Sequence, residues 1–139
     1  MGAMTRLSVL LLLPVSVSAQ DRRCEGHAPE AAERARSRAT TLLEANLGRA
    51  RVQVAALREA VREATATCDA GDPRGLFLRA VAREALGEFD LAARDLDTFL
   101  QREPARAADD FVRGVRARLA LRVGWVDVTH GGGEALRVE

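Results

Sequence analysis

Residues 73–104, PRGLFLRAVAREALGEFDLAARDLDTFLQREP, predict two short amphipathic helices joined by a tight turn. In the first half, apolar residues recur at helical steps of three and four: Leu76, Phe77, Ala80 and Val81. Gly87 interrupts this pattern, and a second apolar stripe follows before Pro104: Leu91, Ala92, Leu96, Phe99 and Leu100. Neither helix buries its stripe alone, so the two helices are expected to fold back on each other.

The same stretch resembles a tetratricopeptide repeat, a helix–turn–helix unit of about 34 residues. Several residues fall in register with that family: Ala80, Leu86, Gly87, Phe89, Ala92, Leu96 and Pro104. The glycine suits the end of a helix, and the small residues let two helix backbones approach closely. Three residues depart from the family pattern, since Arg79 and Arg83 replace a large apolar and an aromatic residue, and Phe99 replaces a small one. The resemblance implies one repeat at residues 73–106 and a scaffold for protein binding.

Composition favours closely packed helices and offers no support for nucleic-acid binding. The chain has 139 residues, of which 47% are hydrophobic but only 4% aromatic, and alanine is abundant. All 21 basic residues are arginine, against 20 acidic residues, so the formal charge is +1. A net charge this close to zero indicates neither a nucleic acid nor an anionic membrane as the partner.

The N-terminus has the pattern of a signal peptide over residues 1–19. Arg6 is followed by an apolar run from Leu7 to Val17 and by small residues up to Ala19, where cleavage is expected. The alternative is a retained anchor, although the run is short for a membrane span. The pattern predicts a periplasmic or secreted protein, from a Gram-negative bacterial envelope, without an integral membrane span after cleavage. Residues 20–28 are expected to be extended.

Apolar periodicity predicts a helical domain over residues 29–122. A first helix is expected from Glu30 to Leu47 and a second from Arg49 to Thr67, the latter with a seam of Val54, Leu57, Val61, Ala64 and Cys68. After the repeat, a fifth helix is expected from Ala105 to Arg122, with Ala108, Phe111, Val115 and Leu119 facing inward. The predicted fold is mainly α: antiparallel hairpins stacked as a short tetratricopeptide-like solenoid of about five helices.

Residues 123–139 differ in character and predict a small β-hairpin. Residues 125–129 (WVDVT) and 136–139 (LRVE) have β-like patterns, and Gly131, Gly132 and Gly133 lie between them. A lone hairpin is marginally stable in water, so Trp125 is expected to pack against the fifth helix. The alternative is that these residues begin a longer β module.

The two cysteines are predicted to form a disulfide. Cys24 precedes the first helix and Cys68 ends the second, and those two places adjoin in an antiparallel hairpin. An even cysteine count in an exported chain favours a bridge, with free thiols as the alternative. His27 lies three residues after Cys24, but two ligands do not make a metal site, and His130 is distant in sequence. No metal and no cofactor are predicted.

Charged residues offer one candidate binding set. The carboxylates Asp90, Asp95, Asp97, Asp109 and Asp110 alternate with arginines, which is typical of a solvated helix face. In the resembled family, the first helix of each repeat lines the binding surface. That resemblance makes Arg79, Arg83 and Arg116 candidate contacts for a partner's carboxylate. The alternative is that their stems simply cover alanine-rich helix.

The predicted function is a non-enzymatic scaffold or adaptor that binds a protein or peptide through a helical groove. No nucleophile–base pair, metal set or phosphate-binding loop can be assembled from the residues. The alternatives are an accessory ligand-binding or metal-binding protein or enzyme that uses His27 or His130, or the front part of a longer envelope protein.

Overall fold

The computed structural model describes residues 24–123, and within that range the chain is mainly helical. Its elements are α1 (Pro29–Asn46), α2 (Val54–Asp69), α3 (Arg74–Leu86), α4 (Phe89–Arg102), a 3-10 turn (Pro104–Ala108) and α5 (Asp110–Val123). Each helix packs against the next one in the chain. The predicted mainly α fold of about five helices is therefore confirmed. The predicted signal peptide, residues 20–23 of the extended segment, Trp125 and the two β-like segments lie outside the described residues.

The first hairpin differs from the prediction in where its second helix begins. Helix α2 starts at Val54, five residues later than expected, and residues 47–53 form a loop. The buried side chain of Asn46 accounts for this loop. It donates to the Leu42 carbonyl at 2.8 Å and accepts from the Gln53 backbone N–H at 3.3 Å, so Gln53 bonds to this side chain instead of to a helix carbonyl. Val54 is consequently exposed, whereas Leu57 lies in the core.

The turn between α3 and α4 forms as its glycine predicts. Gly87 has φ +84°, in the left-handed region, and its N–H donates to the Glu84 carbonyl at 3.0 Å. The next N–H, that of Glu88, donates to the Arg83 carbonyl at 2.9 Å, which completes a Schellman motif. Ala80 and Ala92 are fully buried, so the two helices approach closely at their small residues.

A second close contact, between α2 and α3, depends on Gly75. A Cβ atom at this position would lie 2.4 Å from the Ala64 carbonyl oxygen and 2.6 Å from the Cys68 backbone nitrogen. Glycine is therefore the residue that lets the start of α3 rest on the backbone of α2. In contrast, a Cβ atom at Gly114 in α5 would meet its nearest neighbour at an ordinary 3.7 Å.

Helix α5 covers the end of the stack with part of the predicted face, since Val115 and Leu119 are buried as expected. A 3-10 turn starts at Pro104, and Asp109 Oδ1 then accepts from the backbone N–H groups of Phe111 and Val112, so the α-helix begins at Asp110. The buried stripe is Val112, Val115 and Leu119. Phe111 is 57% exposed, and Ala108 is also exposed, so these two expected inward positions were wrong.

The predicted disulfide between Cys24 and Cys68 is present, and it fixes the segment that precedes α1. The Ala28 N–H donates to the Ala70 carbonyl at 2.9 Å beside the bridge. Residues 24–28 therefore lie against the end of α2, which closes the first hairpin at the end opposite its loop. Both half-cystines belong to the buried core.

The double variant Cys24→Ala with Cys68→Ala is expected to lose about 3–4 kcal/mol of unfolding free energy, because the bridge closes a long loop in the unfolded chain. Urea unfolding of oxidised protein measures this loss. Reductant should lower the wild type to the level of the variant and leave the variant unchanged. Equal stability of oxidised wild type and variant would contradict the prediction.

The variant Gly75→Ala is expected to lose about 1–3 kcal/mol of unfolding free energy, because the added methyl group forces α3 away from α2. Gly114→Ala is the matched control, since this helical glycine has room for a methyl group, and it should gain up to about 1 kcal/mol. Thermal and urea unfolding compare the two. Equal effects at both glycines would show that close packing at Gly75 is unimportant.

Candidate partner-binding groove

Two of the three arginines predicted to bind a partner lie inside the protein. Arg79 is 3% exposed and Arg83 is 8% exposed, and both contact Asp95 of α4, which is also buried. Arg79 holds Asp95 with two parallel hydrogen bonds, Nε to Oδ2 at 2.9 Å and Nη2 to Oδ1 at 2.8 Å. Arg83 Nη1 donates to the same Oδ2 at 2.8 Å. One carboxylate thus binds two guanidinium groups.

Further contacts extend this Arg79–Asp95–Arg83 cluster to α2. Arg79 Nη1 donates to the Thr65 hydroxyl at 3.0 Å, which places α2, α3 and α4 on one network. Glu88 lies 3.9 Å from Arg83 Nε and accepts from Arg58 Nη1 at 3.1 Å. The Nε atom of Arg83 is buried and has no hydrogen-bond partner among the described residues, so the cluster is held mainly through Asp95.

These contacts differ from the groove-lining role expected for the arginines. Arg79 donates three hydrogen bonds and Arg83 donates one to groups of the protein itself, and little of either side chain reaches solvent. Arg116 lies apart on the exposed side of α5, where its charge acts on Asp97 of α4. The structure therefore brings two of the three arginines together, and a role for the three residues in partner binding stays a prediction.

The sequence pattern predicts that Asp95 is exposed to solvent, and this prediction is wrong because Asp95 is buried. It was assigned to a solvated face together with its acidic neighbours, yet it lies on the buried stripe of α4 formed by Ala92, Asp95, Leu96 and Phe99. The sequence does contain a signal for this burial, because Asp95 follows Ala92 by three residues and precedes Phe99 by four, as a member of the same helical stripe would. Arg79 occupies the equivalent place on α3, between Leu76 and Ala80, so opposite charges on two facing stripes indicated a buried pair.

An open groove of about 750 Å³ lies on the other side of α3. Val81 and Ala85 of α3 are part of its lining, and Leu121 and Arg122 line it from the last turns of α5. Leu47, directly after α1, also lines it. Phe89, the first residue of α4, lines it as well, so the groove combines residues that follow α1 with residues of α3, α4 and α5.

The groove collects exposed apolar side chains. Among the residues that the structure describes, the large hydrophobic side chains with high exposure are Leu47 (37%), Val52 (39%), Val54 (53%), Phe111 (57%) and Leu121 (86%). Leu47, Phe111 and Leu121 all line the groove. Apolar surface gathered in one concavity is typical of a binding site, whereas scattered exposed residues need no explanation.

Two arginines of α5 give the groove its electrostatic character. Arg118 makes a bidentate contact with Glu84 of α3, with distances of 2.7 and 3.0 Å, which ties the two helices together and neutralises both charges. The Glu84 carboxylate raises the pKa of Arg118 above its ordinary value. Arg122 stacks over the Phe89 ring at 5.0 Å and has no carboxylate partner in residues 24–123. The groove therefore carries an excess positive charge at Arg122.

A smaller cavity of about 180 Å³ adjoins the groove through Phe111, which lines both. The Phe111 ring meets Phe77 of α3 at 5.6 Å, and Phe77 meets Phe99 of α4 at 5.4 Å. Arg36 and Arg74 also line this cavity. Arg74 pairs with Asp72 at 2.9 Å, and Arg36 pairs with Asp72 at 3.2 Å and also with Glu33, so two carboxylates compensate the two arginines.

Asp72 ties the α2–α3 loop to α1. Burial alone would raise the pKa of its carboxyl group. Hydrogen bonds from the side chain and backbone of Arg74, together with the charges of Arg74 and Arg36, outweigh burial and keep the pKa of Asp72 below its ordinary value. Asp72 therefore remains ionised in the folded protein at neutral pH, and it holds the start of α3 beside α1.

Histidine and cysteine form no metal centre in the described part of the chain. No group of three or more histidine, cysteine, aspartate or glutamate side chains among residues 24–123 is placed to hold a metal ion. His27 is exposed, and neighbouring Cys24 is engaged in the disulfide, while His130 lies outside the described residues. None of the described helices is long and apolar enough to cross a membrane.

Comparisons with family models, curated proteins and solved structures gave no match. The geometry of the groove and of the buried cluster is therefore the basis for a functional proposal.

The variant Asp95→Asn is expected to lose about 3–5 kcal/mol of unfolding free energy, because it leaves buried Arg79 without its counter-charge and Arg83 with only Glu88 at 3.9 Å. Asp97→Asn is the matched control on the same helix. Partial burial raises the pKa of Asp97, against the opposing charge of Arg116, so removing its charge should not destabilise the protein. Urea unfolding followed by far-UV circular dichroism measures both.

A triple variant, Arg79→Met with Arg83→Met and Asp95→Leu, separates the cost of an unpaired charge from the cost of lost packing. It should recover most of the stability, since apolar residues of similar volume often replace a buried ion cluster without loss. Similar losses in Asp95→Asn and Asp97→Asn would contradict a structural role of the cluster.

Proposed function

We propose that the chain is a non-enzymatic scaffold or adaptor of the tetratricopeptide-like kind. In this proposal, the groove between α3 and α5 binds an amphipathic segment of a partner protein. The observation that carries the proposal is the concentration of exposed Leu47, Phe111 and Leu121 in one concavity. The occupant should present apolar side chains to these residues and a carboxylate to Arg122, whose charge is uncompensated within the described residues.

Helix order supports this choice of surface. In tetratricopeptide repeats the first helix of each unit lines the binding surface, and here most of the lining comes from α3 and α5, which hold such first-helix positions, while Leu47 follows α1 and Phe89 begins α4. The polar contacts proposed from sequence change accordingly. Arg122 lies at the groove, whereas Arg79 and Arg83 are directed towards α4. The scaffold role is retained, and the residues assigned to it move to α5.

The disulfide and the N-terminal pattern support a proposed cellular location. A bridge between Cys24 and Cys68 requires an oxidising compartment to form and persist. The apolar run after Arg6 has the pattern of an export signal. We therefore assign the scaffold to the periplasm or the extracellular space, where its partner would also be found.

A photo-reactive amino acid placed at position 47 or at position 121, on two sides of the groove, tests the proposal in cells. Both positions should crosslink to the same partner protein, identified by mass spectrometry. Val54 provides the matched control, because it is exposed and apolar but does not line the groove. Adding Arg122→Glu should lower the crosslinked yield about fivefold, which corresponds to about 1 kcal/mol.

Crosslinks that form equally well from position 54, or different proteins captured from positions 47 and 121, would refute the groove as the binding surface. Retention of full yield in the Arg122→Glu variant would refute the expected carboxylate contact.

A further inference from the structure

We propose that residues 124–139 of the same chain occupy the groove when no partner is bound. This inference rests on the groove of the proposed function and adds its regulation, because an internal segment of similar chemistry would compete with the partner. Three observations support the choice of occupant: where α5 ends, the composition of residues 124–139, and the charge of the groove.

The end of α5 places this segment at the groove. Helix α5 ends at Val123, and its last turn supplies Leu121 and Arg122 to the groove lining. The chain therefore leaves α5 beside the groove. A segment of 16 residues spans up to about 50 Å when extended, whereas a helix of 14 residues is about 21 Å long. The segment is long enough to turn and run back along the groove.

The composition of the segment fits the groove lining. Residues 124–139 contain large apolar side chains in two clusters, namely Trp125, Val126 and Val128, then Leu136 and Val138. They could bury the exposed apolar residues that line the groove, among which Leu121 is 86% exposed. Burial of such surface against an indole ring is a substantial source of binding free energy.

The charges of the two surfaces are also complementary. The segment carries three carboxylates, at Asp127, Glu134 and Glu139, against one arginine, so its formal charge is −2. Charged residues that line the groove are Glu84, Arg118 and Arg122, which gives a formal charge of +1. Because Glu84 and Arg118 neutralise each other, Arg122 is the cation available to a carboxylate of the segment.

Trp125 allows a direct test, because the chain has a single tryptophan. The full-length chain is compared with two charge-introducing variants at exposed apolar positions. Leu47→Glu places a carboxylate in the groove, far in sequence from Trp125. Val54→Glu is the matched control outside the groove. Circular dichroism confirms that both variants keep the helix content of the wild type.

In the wild type, Trp125 should be shielded from iodide relative to the chain unfolded in urea. Leu47→Glu should raise iodide quenching about twofold and shift the emission to longer wavelength, because a displaced indole meets solvent on both faces. Val54→Glu should leave both signals unchanged. As a second readout, a photo-reactive residue at position 47 should crosslink within the chain to residues 124–139.

Two results would overturn the inference. One is quenching of wild-type Trp125 equal to that of the unfolded chain. The other is a shielded Trp125 that does not respond to Leu47→Glu, which would place the indole elsewhere, for example on the outer side of α5. Neither result affects the intermolecular crosslinks that test the scaffold function, so failure of the regulation and failure of the function are distinguishable.

Discussion

The carboxylate of Asp95, shared by Arg79 and Arg83 and linked through Arg79 to Thr65, sets the arrangement of α2, α3 and α4. Desolvating three charged groups is costly, and the cost is offset only when their hydrogen bonds are satisfied in one geometry. A thin, alanine-rich core has few large side chains with which to fix the rotation of one helix against another. In this protein the hydrogen bonds from Arg79 and Arg83 to Asp95 fix the position of α4 on α3, because sliding one helix along the other would break several of them at once.

The groove depends on this arrangement. The long side chains of Arg79 and Arg83 are directed towards α4, and α3 lines the groove with other residues, namely Val81, Glu84, Ala85 and Leu86. Helix α5 packs on α4, and the Glu84–Arg118 contact ties it to α3 as well. The space between α3 and α5 therefore remains open, and Leu121 is left without a covering neighbour among the described residues.

The number and approximate positions of the helices and most of their buried apolar residues could be predicted from sequence, since they follow from apolar spacing, Gly87 and Pro104. The disulfide was also predictable, because hairpin geometry places the start of α1 beside the end of α2. Other features depended on tertiary contacts. The late start of α2 reflects two hydrogen bonds of the Asn46 side chain, and the exposure of Phe111 reflects the rotation of α5 after its 3-10 turn. The candidate site was misjudged for a related reason: charges were treated as exposed even where they lay on apolar stripes.

The Cys24–Cys68 bridge also fixes which end of the first hairpin carries the N-terminal part of the chain and which end borders the groove. Helix α1 is about 27 Å long, and Cys24 of the bridge precedes its first turn, whereas Leu47 of the groove follows its last turn. Whatever is joined to the chain before Cys24 is therefore anchored at the opposite end of the first hairpin from Leu47. If that attachment were a surface, the hairpin would act as a rigid spacer, and the Leu47 end of the groove would stand a helix length away from it. A partner could then reach that end from the open side without competing for space with the attachment.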